Sequence, residues 1–345
     1  MKMSRVVSVV SAVVALSLVG EVYAGVFVFS GLMEDPELIV HPQGYDGTPG
    51  ELVVSVCIDP ESEARDDLVI PVENAIRTWN NLEPTTGNRT LGDDNDVPND
   101  QIDVESLLLH EIGHCFGLGH PNLDDKSGLP HNQRGYTQST RGPNSTWDVD
   151  AGSDGVQGSS EDERGDDVNL NWFAKEHNDP FVVDEIVDLS TYSVHLSDLP
   201  DGHNFAANAN PNVGALLGYP NSEAVMKQGM FIGGATRELA ADDVAMVRLA
   251  STGLDGIQGT DSDYEMVLEF VGETDQCDIP IKMGGNSFAY CSASGSPIDG
   301  SDHYAVAATR VRLGSQSQFN WFFNDESNEG QCDDPDVIFC DNFED

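Results

Sequence analysis

His110-Glu111-Ile112-Gly113-His114-Cys115-Phe116-Gly117-Leu118-Gly119-His120 sets three imidazoles and one carboxylate at fixed spacing. Two histidines four apart lie on one face of an α-helix, because a turn takes 3.6 residues. Their rings can reach one metal ion at about 2.0–2.1 Å. Gly117 lets the chain leave the helix in a conformation that a residue with a Cβ resists. The reversal brings His120 back as a third ligand. Three protein ligands leave one coordination position open, which separates a catalytic zinc from a structural one. Glu111 stands beside His110 on the same turn, where its carboxylate can face water and not the metal. It is the natural general base.

The flanking residues agree. Val104 to Phe116 reads as a helix with an apolar side of Leu107, Leu108, Ile112 and Phe116. Asp103 is placed to cap its N-terminus, and Ile102 with Leu107 fits the hydrophobic-staple positions. Two surface histidines would satisfy the first half of the motif alone. Five fixed residues in an eleven-residue window are far harder to reach by chance.

On these residues the chain resembles the metzincin clan of zinc proteases, and within it the matrixin-like secreted bacterial enzymes. That family carries a methionine in a tight turn beneath the zinc, followed by a helix. Ser222-Glu223-Ala224-Val225-Met226-Lys227-Gln228-Gly229 looks like that turn, with Met226 as its methionine. Leu239 to Leu249 looks like the helix after it. An ordinary core methionine is the alternative reading of Met226, and the Leu239–Leu249 pattern favours the turn. Before the motif, Pro71 at a first helical position opens Val72, Ile76 and Trp79 at i, i+4, i+7. This is similar to the first helix of the family's catalytic domain.

The chain also departs from the family. A typical metzincin places several strands, including the edge strand that binds substrate, between its first helix and the zinc helix. Here only Asn80 to Asp103 lies between, and it reads as loop. About a hundred residues separate His120 from Met226, where matrixins have a short link. The sheet therefore cannot be complete in its usual chain order. Gly25–Ser30, Glu51–Ile58 and the long insertion are the sources of strands that come to mind.

Residues 1–24 read as a secretory signal peptide: a basic start, an apolar run from Val6 to Val19, and Val22-Tyr23-Ala24 before the cut. A retained anchor helix is the alternative, disfavoured by the shortness of the run. The six cysteines (Cys57, Cys115, Cys277, Cys291, Cys332 and Cys340) follow it, and an even count in an exported chain suggests disulfides. The local pairings are Cys277–Cys291 and Cys332–Cys340, leaving Cys57 with Cys115. Cys57 as a latency thiol on zinc is the sharper alternative.

The formal net charge is -44. Nucleic acid and anionic membrane call for basic patches, so both are disfavoured as partners. The charge favours solubility and suits a saline medium that screens self-repulsion. Asp148 to Asp167 is the densest acidic run, with Asp150, Asp154, Glu161, Asp162, Glu163 and Asp166. Oxygen ligands at this density suit calcium. The spacing fits no EF-hand, and a solvated acidic loop is the plainer reading. Asp93, Asp94, Asp96 and Asp100 form a similar cluster. His41, His131, His177, His195, His203 and His303 are scattered in polar segments and read as surface residues.

Beyond Gly256, Tyr264–Phe270 alternates apolar and polar residues. Ile279–Met283, Ser287–Cys291, His303–Leu313 and Phe319–Phe323 read as further strands. The expected fold class is α+β. A metzincin-like domain spans residues 25–256, with an insertion at about 121–220. A small antiparallel β module (257–325) and an acidic tail (326–345) follow. The resemblance implies an exported, monomeric zinc endopeptidase acting on protein or peptide, with no membrane contact after signal cleavage. A non-catalytic secreted binding protein on the same scaffold is the rival, supported by the short Asn80–Asp103 link.

Overall fold

A computed structural model describes residues 27–29, 35, 37–84, 97–120, 149–150, 163–164, 172–176, 183–195, 198, 224–227, 232–298, 300–315 and 318–321. In chain order the elements are β1 (Val40–His41), β2 (Gly50–Ile58), α1 (Arg65–Asn81), β3 (Ile102–Asp103) and α2 (Val104–Cys115). The pairs β4 (Val149–Asp150), β5 (Glu163–Arg164), β6 (Phe173–Ala174) and β7 (Tyr192–Ser193) follow. Then come α3 (Ala241–Ser251), β8 (Tyr264–Glu273), β9 (Ile279–Met283), β10 (Ala289–Pro297), β11 (Tyr304–Leu313) and β12 (Phe319–Asn320). The α+β class is as expected.

Six strands form the main sheet. β2 runs parallel to β8 on one side and to β9 on the other, and β9 is parallel to β11. β1 is parallel to the start of β11. β10 alone is antiparallel, pairing with β11 along its whole length. Among the described residues, β1, β8 and β10 each pair with one neighbour only, and β8 and β10 are the long edge strands. This corrects the expected antiparallel C-terminal module. β8, β9 and β11 join β2 in one largely parallel sheet, so strands from beyond α3 pack with those before α1. The alternation along β8 is real: Tyr264, Met266 and Leu268 are buried, while Glu265 and Glu269 are exposed. Alternation reports one buried face, not the direction of the neighbouring strand.

The buried face meets the helices. Leu68, Val72, Ala75, Ile76 and Trp79 form the inward stripe of α1. The helix begins at Arg65, so Pro71 lies inside it and not at the first position. The stripe starts one turn earlier than Val72, at Leu68, and this packing outweighs the missing proline N–H. Trp79 Nε1 donates to the Leu109 carbonyl at 2.9 Å and fastens α1 to α2, a bond worth about 1 kcal/mol net. Every residue of α2 is buried, as befits a helix enclosed on all sides. Asp103 caps it as expected, accepting from the Ser106 N–H at 3.0 Å. Arg237 grips the same carboxylate with two nitrogens, Nε at 2.9 Å and Nη2 at 2.6 Å. That pair ties the segment before α3 to the start of α2.

Two disulfides are formed: Cys57–Cys277 within the sheet, and Cys115–Cys291 between α2 and the sheet. The expected Cys277–Cys291 and Cys57–Cys115 pairings are wrong. Cys277 and Cys291 flank β9 and lie on opposite sides of β11, so their closeness in sequence is not closeness in space. Cys57 is the last residue but one of β2 and stands opposite Pro280 near the start of β9, which puts Cys277 within reach. Cys57 is thus no latency thiol. Cys332 and Cys340 lie outside the described residues.

Candidate metal centre

The helix periodicity places His110 and His114 on one face of α2. At its end the Phe116 N–H still bonds to Ile112, while Gly117 turns the chain with φ 123°. A side chain on Gly117 would press on the Val40 carbonyl, 3.1 Å from where its Cβ would stand. The reversal returns His120 to the site. The three Nε2 atoms lie 3.0 Å (His110–His114), 2.9 Å (His114–His120) and 3.3 Å (His110–His120) apart.

The protons show what this triangle is for. His110 Nδ1 is 2.6 Å from the Val225 carbonyl and His114 Nδ1 is 2.7 Å from the Leu118 carbonyl. Carbonyls only accept, so both Nδ1 atoms carry hydrogen and both Nε2 atoms of the neutral rings present lone pairs. Two lone pairs 3.0 Å apart repel unless a cation lies between them. Nitrogens bound tetrahedrally at zinc distances would be about 3.3 Å apart. The residues therefore fit a metal ion, and each Nδ1 carbonyl contact is the outer hydrogen bond that orients a ligating imidazole. Among the described residues, these three histidines are the group placed to hold a metal.

Burial keeps the ligands neutral. It lowers His110 to about 4, aided by the nearby Lys227 charge and opposed by the Val225 carbonyl. Burial first, and His110 second, lower His114 to about 3. His120 is held well below the ordinary histidine value by the same causes. Deprotonated imidazole is the form a metal binds. Glu111 is buried beside them. Burial raises its carboxyl to about 8, and the backbone N–H of Cys291 on β10 pulls it back down. A dication close by would favour the ionised carboxylate.

Met226 lies against this helix from below: a Cβ on Gly113 would overlap its sulfur and stand 3.0 Å from Trp79 Cζ2. The turn carrying it hangs from Asp243, at the start of α3. The Asp243 carboxylate accepts from the N–H groups of Val225 (2.9 Å), Met226 (3.1 Å) and Ala240 (2.8 Å). Burial raises its pKa to about 6, against those three donors. Asp243 thus fixes Val225, whose carbonyl fixes His110. Sequence reasoning passed over Asp243 as one of two acids at a helix start. Its only signal was its position within Leu239–Leu249, downstream of the methionine. The two carbonyl partners had no signal, since every residue has a carbonyl.

The other expectations fare unevenly. His110, Glu111, His114, His120 and Met226 come together. His41 is not a surface residue: it is fully buried, with Nδ1 3.2 Å from Tyr264 Oη and Nε2 2.8 Å from His303 Nδ1. β1 carries it into the sheet beside β11, a pairing that two residues of strand could not announce. The acidic run at 148–167 has only backbone described at 149–150 and 163–164, and Asp93, Asp94 and Asp96 lie outside the described residues, as do the signal peptide and the acidic tail. No helix among the described residues is long and apolar enough to cross a membrane.

The chain matches no protein-family model, no curated protein and no solved structure.

Proposed function

We propose that this protein is an exported zinc-dependent endopeptidase in which Glu111 is the general base and His110, His114 and His120 hold the metal. The observation that carries this reading is the convergence of three Nε2 atoms, two with their lone pairs fixed inward, beside a buried carboxylate that is not itself a ligand. A purely structural metal site needs no such base. When bound, zinc supplies Lewis acidity, polarising a carbonyl oxygen and making water more acidic. Glu111 takes a proton from water and delivers it to the nitrogen of the leaving amine. The Cys291 N–H steadies its carboxylate. β10 is the antiparallel edge of the sheet, and an extended peptide adds to its free side by strand pairing.

Two disulfides suit an oxidising compartment, which supports export after removal of residues 1–24. The rival binding-protein reading rested on the short Asn80–Asp103 link. With the sheet completed from beyond α3, that link no longer argues for it.

The test is metal analysis of the mature chain together with cleavage of a casein-type substrate, with and without chelator. One equivalent of zinc and chelator-sensitive cleavage are expected. A chain that holds zinc yet cleaves no unfolded protein over a broad range of pH and salt is a binder and not a protease.

A further inference from the structure

Within β10 only Cys291 is buried; Tyr290, Ser292 and Ser294 to Pro297 are exposed. Among the described residues the strand pairs on one side alone, with β11, and its register slips between Ser294 and Gly295. Its ladder fixes it to β11, but with only Cys291 buried, little apolar packing fixes it against α2. Yet it lies against α2, the helix that carries Glu111, with the Cys291 and Cys115 Cα atoms 5.7 Å apart. What holds it there is covalent. Cys291 is bonded to Cys115, the last residue of α2 and the neighbour of His114.

We propose that the Cys115–Cys291 disulfide is a positioning element for catalysis, locking the β10 edge in register with Glu111 and with the metal-binding helix. This rests on the endopeptidase reading above. The bridge sets the distance between the base and the strand along which substrate lies, and does so without touching the metal. Loosening it lets β10 shift relative to α2, while His110, His114 and His120 stay on α2 and its C-terminal turn. The other disulfide, Cys57–Cys277, joins the end of β2 to the approach to β9 and is the natural control for general stabilisation.

The experiment compares Cys115→Ala/Cys291→Ala with Cys57→Ala/Cys277→Ala, each well below its melting temperature. Metal content is measured first, then kcat and KM on a peptide, then hydrogen exchange of the peptide spanning residues 289–297. The Cys115/Cys291 variant should keep one equivalent of metal, lose at least about tenfold in kcat, since misplacements near 1 Å can cost a hundredfold, and exchange faster across β10. The control should keep its kcat and its slow β10 exchange. If the alanine pair does not fold, Cys115→Val/Cys291→Ala refills the buried volume and is read the same way. Unchanged kcat and unchanged β10 exchange in the Cys115/Cys291 variant overturn the positioning role and leave the protease reading standing. Equal loss of kcat in both variants also overturns it, because the bridge then acts only through stability. A wild-type chain that binds metal and cleaves nothing overturns the protease reading, and the catalytic role of the bridge falls with it.

Discussion

Replacing Gly113 by alanine sets two known effects against each other. In an exposed helix interior the change would stabilise by about 1 kcal/mol, because glycine is the poorer helix former. Here the new methyl would overlap Met226 Sδ and stand 3.0 Å from Trp79 Cζ2 and 3.2 Å from Met226 Cε. Carbon and sulfur prefer contacts near 3.5–4.0 Å, so Met226 must retreat by roughly an ångström. Met226 is 2% exposed and Trp79 is 0% exposed, so neither has space to move into. Overpacking of this kind costs about 1–3 kcal/mol, and two trapped neighbours place it near the upper end. The net expectation is a loss of about 2 kcal/mol. The strain falls on a turn whose Val225 carbonyl orients His110. Zinc affinity should therefore drop by about tenfold, the lower end for loss of a ligand's outer hydrogen bond. Urea unfolding of the metal-free protein gives the first number and competition with a chromophoric chelator gives the second. In a Met226→Ala background the overlap with sulfur is gone and only the tight Trp79 contact remains, so Gly113→Ala should cost clearly less there than in the wild-type chain. A Gly113→Ala protein that is more stable than wild type and binds zinc equally well would show that Met226 does not pack under the helix.

Glu111→Gln should retain the metal and the fold while peptide hydrolysis falls by about 10²–10⁴-fold; equal cleavage would place the base elsewhere. Non-reducing peptide maps should show Cys57–Cys277 and Cys115–Cys291 and no Cys277–Cys291 peptide. With the first bridge closed, the second closes a loop of about 72 residues, 58 from Cys57 to Cys115 and 14 from Cys277 to Cys291, so Cys115→Ala/Cys291→Ala should lose about 4 kcal/mol in the chain-entropy model. Burial, followed by the His303 charge, lowers His41 to about 3. The unfolded chain takes up this proton near pH 6.5 and the folded chain does not. The contribution of His41 is thus complete above pH 6.5 and shrinks by about 2 kcal/mol by pH 5. His41→Asn should flatten that limb of the stability curve measured by urea unfolding, and an unchanged limb would mean that His41 titrates normally.

The metal centre was legible because its geometry is local. Histidines four apart on a helix, a glycine to reverse the chain and a third histidine form one short segment, and backbone stereochemistry nearly fixes their relation. The same locality made Asp103 legible as a cap and exposed most strand positions, since a period of two is written in consecutive residues. Pro71 was misplaced because the stripe that decides where α1 begins includes Leu68, whose burial depends on the sheet beneath it.

Sheet order, by contrast, is a matter of partners far apart in the chain. Nothing in residues 264–313 states that β8 and β9 will flank β2, two hundred residues earlier, or that β10 alone will run antiparallel. Alternation is the same for either direction. The disulfides followed that order and not sequence proximity, which is why the local pairing failed. His41 was misread for the same reason, its partners Tyr264 and His303 arriving on distant segments. By itself the sequence determined the three-histidine cluster, the Glu111 carboxylate beside it and the helix that carries them. Tertiary structure alone decided which strand borders the base, what holds that strand, and how Asp243 reaches His110, because contact free energies there come from surfaces that only the folded chain brings together.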